Sequence, residues 1–419
     1  MPSRPLVVRA SLALLALLAP LVLLATPHPA GASDGPSIGA DVQDLPSSSV
    51  RVVPHQRVRL DALPQLVQPG RTVADADLAA HAFVATARPA SPGRRVQLQA
   101  LVDGAWTVLA TRRQDGRGRV ELTAAAPAGG PPATYRARVM ATRGLRAFNG
   151  LPVSTARWDR PTWGDEFSGT SLGPDWNHRG EELVTDSRRS CSKGDPRAVG
   201  VGGGVVRLSV LADPDATSRC RIRGRDAVRG SYAYRLNGHV GTQGRFSFRY
   251  GFAAARVRFQ RLRGQHGAFW LQPAGGMYPG APGSEIDVVE YFGDHHPQGG
   301  LATFMHRYDG LRRVSTGGWV RDPASYLHGR GDGWSRGFHV FSVEWTPRRV
   351  VFRIDGRETG RVRGRVSAER QFPILSLIAA DYEIPKIREE RLPQHMDVDW
   401  VRVWETGPEP ALSPARRVP

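Results

Sequence analysis

The chain has 419 residues, 40% of them hydrophobic and 8% aromatic, with 47 Gly and 33 Pro. A chain of that length and turn content suggests two β-rich domains plus tails, and argues against a helical protein. The formal net charge of +18 is carried almost wholly by Arg. These arginines are scattered (Arg112, Arg113, Arg188, Arg189, Arg312, Arg313, Arg348, Arg349) and come with no nucleic-acid-binding motif, so nucleic acid is not expected as a partner. Solvated Arg-rich faces are one reading of the charge; attraction of an acidic polysaccharide is the other.

Residues 1–32 read as a signal peptide. Arg4 and Arg9 form a positive start, an apolar run follows, and Ala30-Gly31-Ala32 is a small-residue cleavage site. An uncleaved anchor is the alternative. With no long apolar run beyond it, stable membrane insertion is not expected and a secreted, extracellular location is. Residues 33–49 form a linker. From 50 to 156, short alternating stretches at 52–60, 80–87, 95–101, 106–111, 118–123 and 134–141 are separated by Pro69-Gly70, Asp103-Gly104 and Asp115-Gly116. This spacing predicts a small immunoglobulin-like β-sandwich with an accessory or spacer role.

From 157 to 406 tryptophans become frequent, and strands are predicted at 205–210, 245–259, 268–272, 286–292, 338–345, 350–354, 372–379 and 396–404. No long amphipathic helix interrupts them. The fold class is therefore all-β, with a large two-sheet antiparallel sandwich as the second domain. Residues 407–419 are a Pro-rich tail. Cys191 and Cys220 are the two cysteines. In an exported chain they are expected to pair, which contributes roughly 3 kcal/mol by restricting the unfolded chain.

The segment Gly283-Ser284-Glu285-Ile286-Asp287-Val288-Val289-Glu290-Tyr291-Phe292-Gly293 carries three acids on a β-branched strand. Strict alternation puts Glu285 and Asp287 on one face and Glu290 on the other. One extra residue at Val288-Val289, a β-bulge, returns Glu290 to the first face. Clustered carboxylates on an apolar strand are costly, and crowding raises at least one pKa. Two carboxyls on one face suit retaining glycoside hydrolysis, where one attacks and one handles the proton. An acidic surface strand or a cation site is the plainer alternative.

These residues resemble the catalytic signature of family 16 glycoside hydrolases. Supporting matches are Asp165-Glu166-Phe167-Ser168-Gly169, Ala268-Phe269-Trp270-Leu271-Gln272-Pro273, Phe338-His339 through Glu344-Trp345, Asp355-Gly356 and Val398-Asp399-Trp400-Val401-Arg402-Val403. The resemblance implies a concanavalin-like jelly roll with a cleft on its concave face. It implies Glu285 as nucleophile, Asp287 as assistant and Glu290 as acid/base, on a polysaccharide, with no required cofactor. It further suggests Trp270 and His306 as cleft residues and Asp399 as a ligand of a structural calcium. Core Trp, structural His and surface Asp are the respective alternatives. His266-Gly267 stands where many laminarinase-like members have Trp-Pro, and the late strand lacks their Asn and Gly-Gly turn. A β-1,3-glucan is the first expectation. A non-catalytic glycan binder, a transglycosylase and a hydrolase of acidic or sulphated galactan are the others, with the chain as a monomer. The G-x-S-x-G match at 169–173 precedes Pro174 and lacks the strand–turn–helix setting of a nucleophile elbow. Asp294-His295-His296 reads as a polar loop.

Overall fold

The computed structural model describes residues 55–407 except 127, 143, 225, 227 and 365. The expected signal peptide and linker and the tail beyond 407 lie outside the described residues. Among the described residues helix is confined to short 3-10 turns, and none is long and apolar enough to cross a membrane.

The first part is two small sheets around one core. Arg57–Ala62, Ala80–Arg88 and Arg119–Ala125 form one; Ala105–Arg113, Arg95–Val102, Thr134–Val139 and the short Phe148–Asn149 and Val153–Ser154 form the other. Alternation decides which side chains enter. Tyr135, Ala137 and Val139 are buried while their neighbours are partly exposed, and together with Phe83, Leu98 and Leu122 they make the core. Asp103 and Gly104 turn the Arg95–Arg113 hairpin with φ of 48° and 79°, the left-handed pair that a tight hairpin requires.

The second part is a jelly roll. Its cleft-side strands run in the order Arg312–Trp319, Leu301–Asp309, Ser284–Tyr291, His266–Pro273, Gln371–Ile378 and Arg235–Gly241. The ribbon continues through Val205–Ala212, Gln394–Glu405, Gly251–Arg258, His339–Thr346, Arg349–Ile354 and Arg357–Arg363. Phe269, Leu271, Ile286, Leu375 and Leu377 from the first layer meet Val257, Phe341, Val343, Val401 and Val403 from the second in one apolar core. The expected strand over 245–259 is shorter than predicted. Tyr250 and Gly251 adopt φ of 60° and 113°, which ends the pairing before Gly251–Arg258 begins. A Cβ on Gly251 would lie 2.0 Å from the Trp404 carbonyl oxygen, so only glycine fits the kink.

Cys191 and Cys220 form the expected disulfide, with Cα atoms 5.4 Å apart. Leu63, Leu66, Val84 and Trp158 pack against Phe252, Val340, Trp400 and Trp404, joining the small sandwich to the outer layer of the jelly roll. Trp158 donates its indole N–H to the Ala62 carbonyl at 2.7 Å.

Candidate active site

The acidic strand Ser284–Tyr291 contains the bulge that its sequence calls for. Against His266–Pro273, Val289 faces Phe269 and Asp287 faces Trp270, so Val288 has no opposite. Against Leu301–Asp309, Asp287 faces Phe304 and Glu290 faces Ala302, so Val288 and Val289 together span Thr303. The extra residue lets Ile286, Val288, Val289 and Tyr291 all enter the core. Glu285, Asp287 and Glu290 are left on the concave face.

Each acid has its own basic partner: His266 and His306 from the two flanking strands, and Arg313 from the strand beyond His306. Glu285 Oε1 accepts from Arg313 Nη2 at 3.3 Å. Asp287 Oδ2 lies 3.0 Å from His306 Nε2, and the other ring nitrogen of His306 is 2.7 Å from Ser315 Oγ. Glu290 Oε1 lies 2.9 Å from His266 Nε2, whose Nδ1 is 3.1 Å from the Tyr382 hydroxyl. His266 is also stacked on Phe292, with ring centroids 4.6 Å apart. Trp270 is half-buried on the same face; it donates its indole N–H to Ser376 Oγ at 3.2 Å and lies over His239.

Burial raises Glu285 to about 7, and the adjacent Asp287 adds to the rise while His306 and Arg313 oppose it. Asp287 is held well above the usual carboxylate range, first by burial and then by Glu290. His306 is held below its ordinary value by burial and by Arg313. Three carboxyls on one strand face lose their protons in steps that belong to the group. Asp287 is the most deeply buried of the three and faces a largely neutral imidazole, so it is the natural holder of the retained proton. Glu285 and Glu290 are less buried and stand at the cleft surface, the first beside the Arg313 guanidinium and the second beside His266.

Glu285, Asp287, Glu290, Trp270 and His306 are therefore brought together. Asp399, expected as a ligand of a structural calcium, is not among them. Its carboxylate is buried, pairs with the equally buried Arg256, and accepts the Ala74 N–H at 2.9 Å. Asp294 likewise serves its loop, accepting from the Tyr291 hydroxyl at 2.5 Å and from Ser335 Oγ at 2.7 Å. Sequence reading had not assigned His266, Arg313 or Tyr382 to the site. His266 shares the parity of Trp270, four residues on, and could have been found from it. Arg313 needed the hairpin joining Leu301–Asp309 to Arg312–Trp319, whose glycines hide the second strand. Tyr382 sits after the last residue of Gln371–Ile378 and carries no periodic signal.

Residues 221–402 match the family model described as Glycosyl hydrolases family 16. Among curated proteins the chain is similar to a β-glucanase from Rhodothermus marinus, 25% identical over 46% of this chain and 62% of that protein. It is also similar to glucan endo-1,3-β-glucosidase A1 from Niallia circulans, 26% identical over 46% of this chain and 28% of that protein. The chain thus spans less than two thirds of the length of either relative. A solved structure, the laminarinase catalytic domain from Thermotoga maritima, is 20% identical, has a TM-score of 0.46, and aligns over 59% of this chain and 98% of that one. With the motif string, the bulged acidic strand and the matched segment in agreement, this chain carries a family 16 glycosyl hydrolase domain over residues 221–402.

Proposed function

We propose that the chain is a secreted, monomeric, retaining endo-β-glycanase, with a β-1,3-glucan as its substrate. The observation that carries this reading is the bulge at Val288-Val289, which sets Glu285 and Glu290 on one face with Asp287 between them. Retention requires two carboxyls about 5–5.5 Å apart, one to attack and one to transfer the proton. Glu290 protonates the leaving oxygen while Glu285 attacks the anomeric carbon. Glu290 then takes a proton from water, and the hydroxide oxygen displaces Glu285 with net retention. Arg313, 3.3 Å from Glu285 Oε1, favours the carboxylate form of Glu285, the form that attacks and the form that leaves when the glycosyl ester breaks. His266 steadies Glu290 so that its free oxygen faces the bond. Trp270 offers a flat apolar surface to a sugar ring. The glucan assignment is supported by the names of the two curated relatives, a β-glucanase and a glucan endo-1,3-β-glucosidase.

The test is reducing-sugar release from laminarin, lichenan, xyloglucan, agarose and carrageenan by the wild type and by Glu285→Gln. Release from laminarin, lost in the variant, is expected; full activity in Glu285→Gln would refute the nucleophile. A second reading, cleavage of an acidic or sulphated galactan, is favoured by Arg179. That residue donates to Gln272 at 2.9 Å, two positions from Trp270, and lies over Phe372, so a fixed cation flanks the cleft. Release from carrageenan and not from laminarin would select it. Longer products than the starting oligosaccharide would mark transglycosylation.

A further inference from the structure

A cluster of side chains of the kind that ligate metals lies outside the acidic strand, on the loop after the 3-10 turn Pro323–Tyr326 and on the strand and turn beneath it. His328 comes from the loop, His339 from the first position of His339–Thr346, and Asp355 from the Asp-Gly turn after Arg349–Ile354. One ligand atom from each lies within 4.8 Å of the others. His339 Nδ1 is 2.7 Å from Asp355 Oδ2, and His328 Nε2 is 3.1 Å from the same oxygen. A tetrahedral zinc ion with bonds of about 2.0–2.2 Å holds its donors roughly 3.3 Å apart, so small side-chain shifts open the cluster to that size.

The surroundings are those of a metal site rather than of a chance histidine pair. A ligating histidine characteristically donates its other ring N–H to a carboxylate, which fixes the ring. Here the second nitrogen of His339 is 3.2 Å from Asp332 Oδ1. Asp332 is itself fixed, accepting the His328 N–H at 2.8 Å and the Gly333 N–H at 2.8 Å. The remaining oxygen of Asp355 accepts the Val340 N–H at 2.9 Å. Trp334 packs on the His339 ring at 4.7 Å between centroids and closes the inner side. On the outer side His328, alone of the three, and Asp332 border a surface cavity of about 340 Å³ shared with Gly70, Arg71 and Gly331.

We propose that His328, His339 and Asp355 form a binding site for a divalent transition-metal ion of the zinc class, with Asp332 orienting His339 and water completing the coordination. The site is structural in placement. Gly70 exchanges both backbone hydrogen bonds with Phe338, next to His339, and Arg71 reaches the Gly331 carbonyl at 2.5 Å. An ion here clips the 328–337 loop to the strand beneath it and to the segment at 70–71. Without metal the same groups form a hydrogen-bonded His–Asp–His chain, which is the competing account and makes no demand for an ion.

The experiment is titration of the full, chelator-stripped chain with zinc by calorimetry and with cobalt by visible absorption. Expected are one ion bound per chain, the d–d bands of a low-coordinate nitrogen and oxygen site, and a thermal midpoint raised by roughly 5 °C at zinc concentrations about a hundred times Kd. His328→Ala, a half-exposed loop change, abolishes the binding. Asp332→Asn weakens it roughly 10–100-fold while leaving the three ligands in place. Glu285→Gln leaves it unchanged, which separates this site from the Glu285, Asp287 and His306 cluster. No uptake by the wild type at about 1 mM zinc, equal uptake by His328→Ala, or loss of uptake in Glu285→Gln would each overturn the proposal.

Discussion

Replacing Arg256 with Met isolates the energetic role of the seam between the small sandwich and the jelly roll. Arg256 is 2% exposed, donates to the Gln68 carbonyl at 2.7 Å and the Thr72 carbonyl at 3.0 Å, and pairs with Asp399, also 2% exposed. Burial lowers the pKa of Arg256 and raises that of Asp399, and each charge is the main electrostatic counterweight to the burial of the other. Met keeps the volume of the stem and removes the charge. Stranding a buried carboxylate costs about 3–5 kcal/mol. At about 2 °C per kcal/mol for a chain of this size, the midpoint falls by roughly 6–10 °C. The pH dependence has a fixed sign. Without Arg256 the folded pKa of Asp399 rises further above its unfolded value of about 3.9. Stability is then fully present below that value and is lost as pH rises through the folded pKa, so the deficit against wild type is smallest near pH 4 and largest near pH 7. Adding Asp399→Asn keeps an acceptor for the Ala74 N–H and removes the stranded charge. The double variant therefore recovers most of the loss at pH 7, leaving about 2 kcal/mol for the two orphaned carbonyls. Guanidinium denaturation at pH 4 and 7 measures all of this. A loss below about 1 kcal/mol, or a deficit independent of pH, would refute the reasoning.

Two further outcomes follow from the site and the kink. Because burial and Asp287 raise Glu285 to about 7, the acid limb of kcat/KM lies above the ordinary carboxylate range, and activity rises as pH rises through it. Asp287→Asn removes one of the neighbouring charges and moves that limb downward while slowing turnover; an unmoved limb in pH–rate profiles would contradict the shared-proton account. Gly251→Ala drives a Cβ to 2.0 Å from a carbonyl at φ of 113° and destabilises the fold by about 2–4 kcal/mol, read as a lowered thermal midpoint.

The acidic strand was legible because its chemistry and its packing conflict. Three acids among valines cannot satisfy period-two alternation, and a single bulge resolves the conflict at the residues where the structure has it. The cysteine pair and most strand centres followed from local pattern in the same way. Contacts between distant segments were not legible. Asp399 pairs with a residue 143 positions away, and nothing in its own strand distinguishes an aspartate facing a guanidinium from one facing an ion. The same blindness hid Arg313, which reaches Glu285 only once its own strand has doubled back. Local sequence also overran the kink at Tyr250-Gly251, because the apolar alternation continues through it while the backbone does not.

The seam has a consequence for how the chain can be divided. Trp400 donates its indole N–H to Gln68 at 3.0 Å, and Arg256 closes two carbonyls of the same stretch, so 63–75 supplies polar partners that the jelly roll lacks on its own. A polypeptide begun at Trp163 would present Phe252, Trp400 and Trp404 to water together with a guanidinium that has lost two carbonyl partners. The family signature sits wholly on one side of this boundary, yet the folding unit does not end there. Trimming to the signature alone would uncover the apolar face that the sandwich covers, a patch of the kind that invites association.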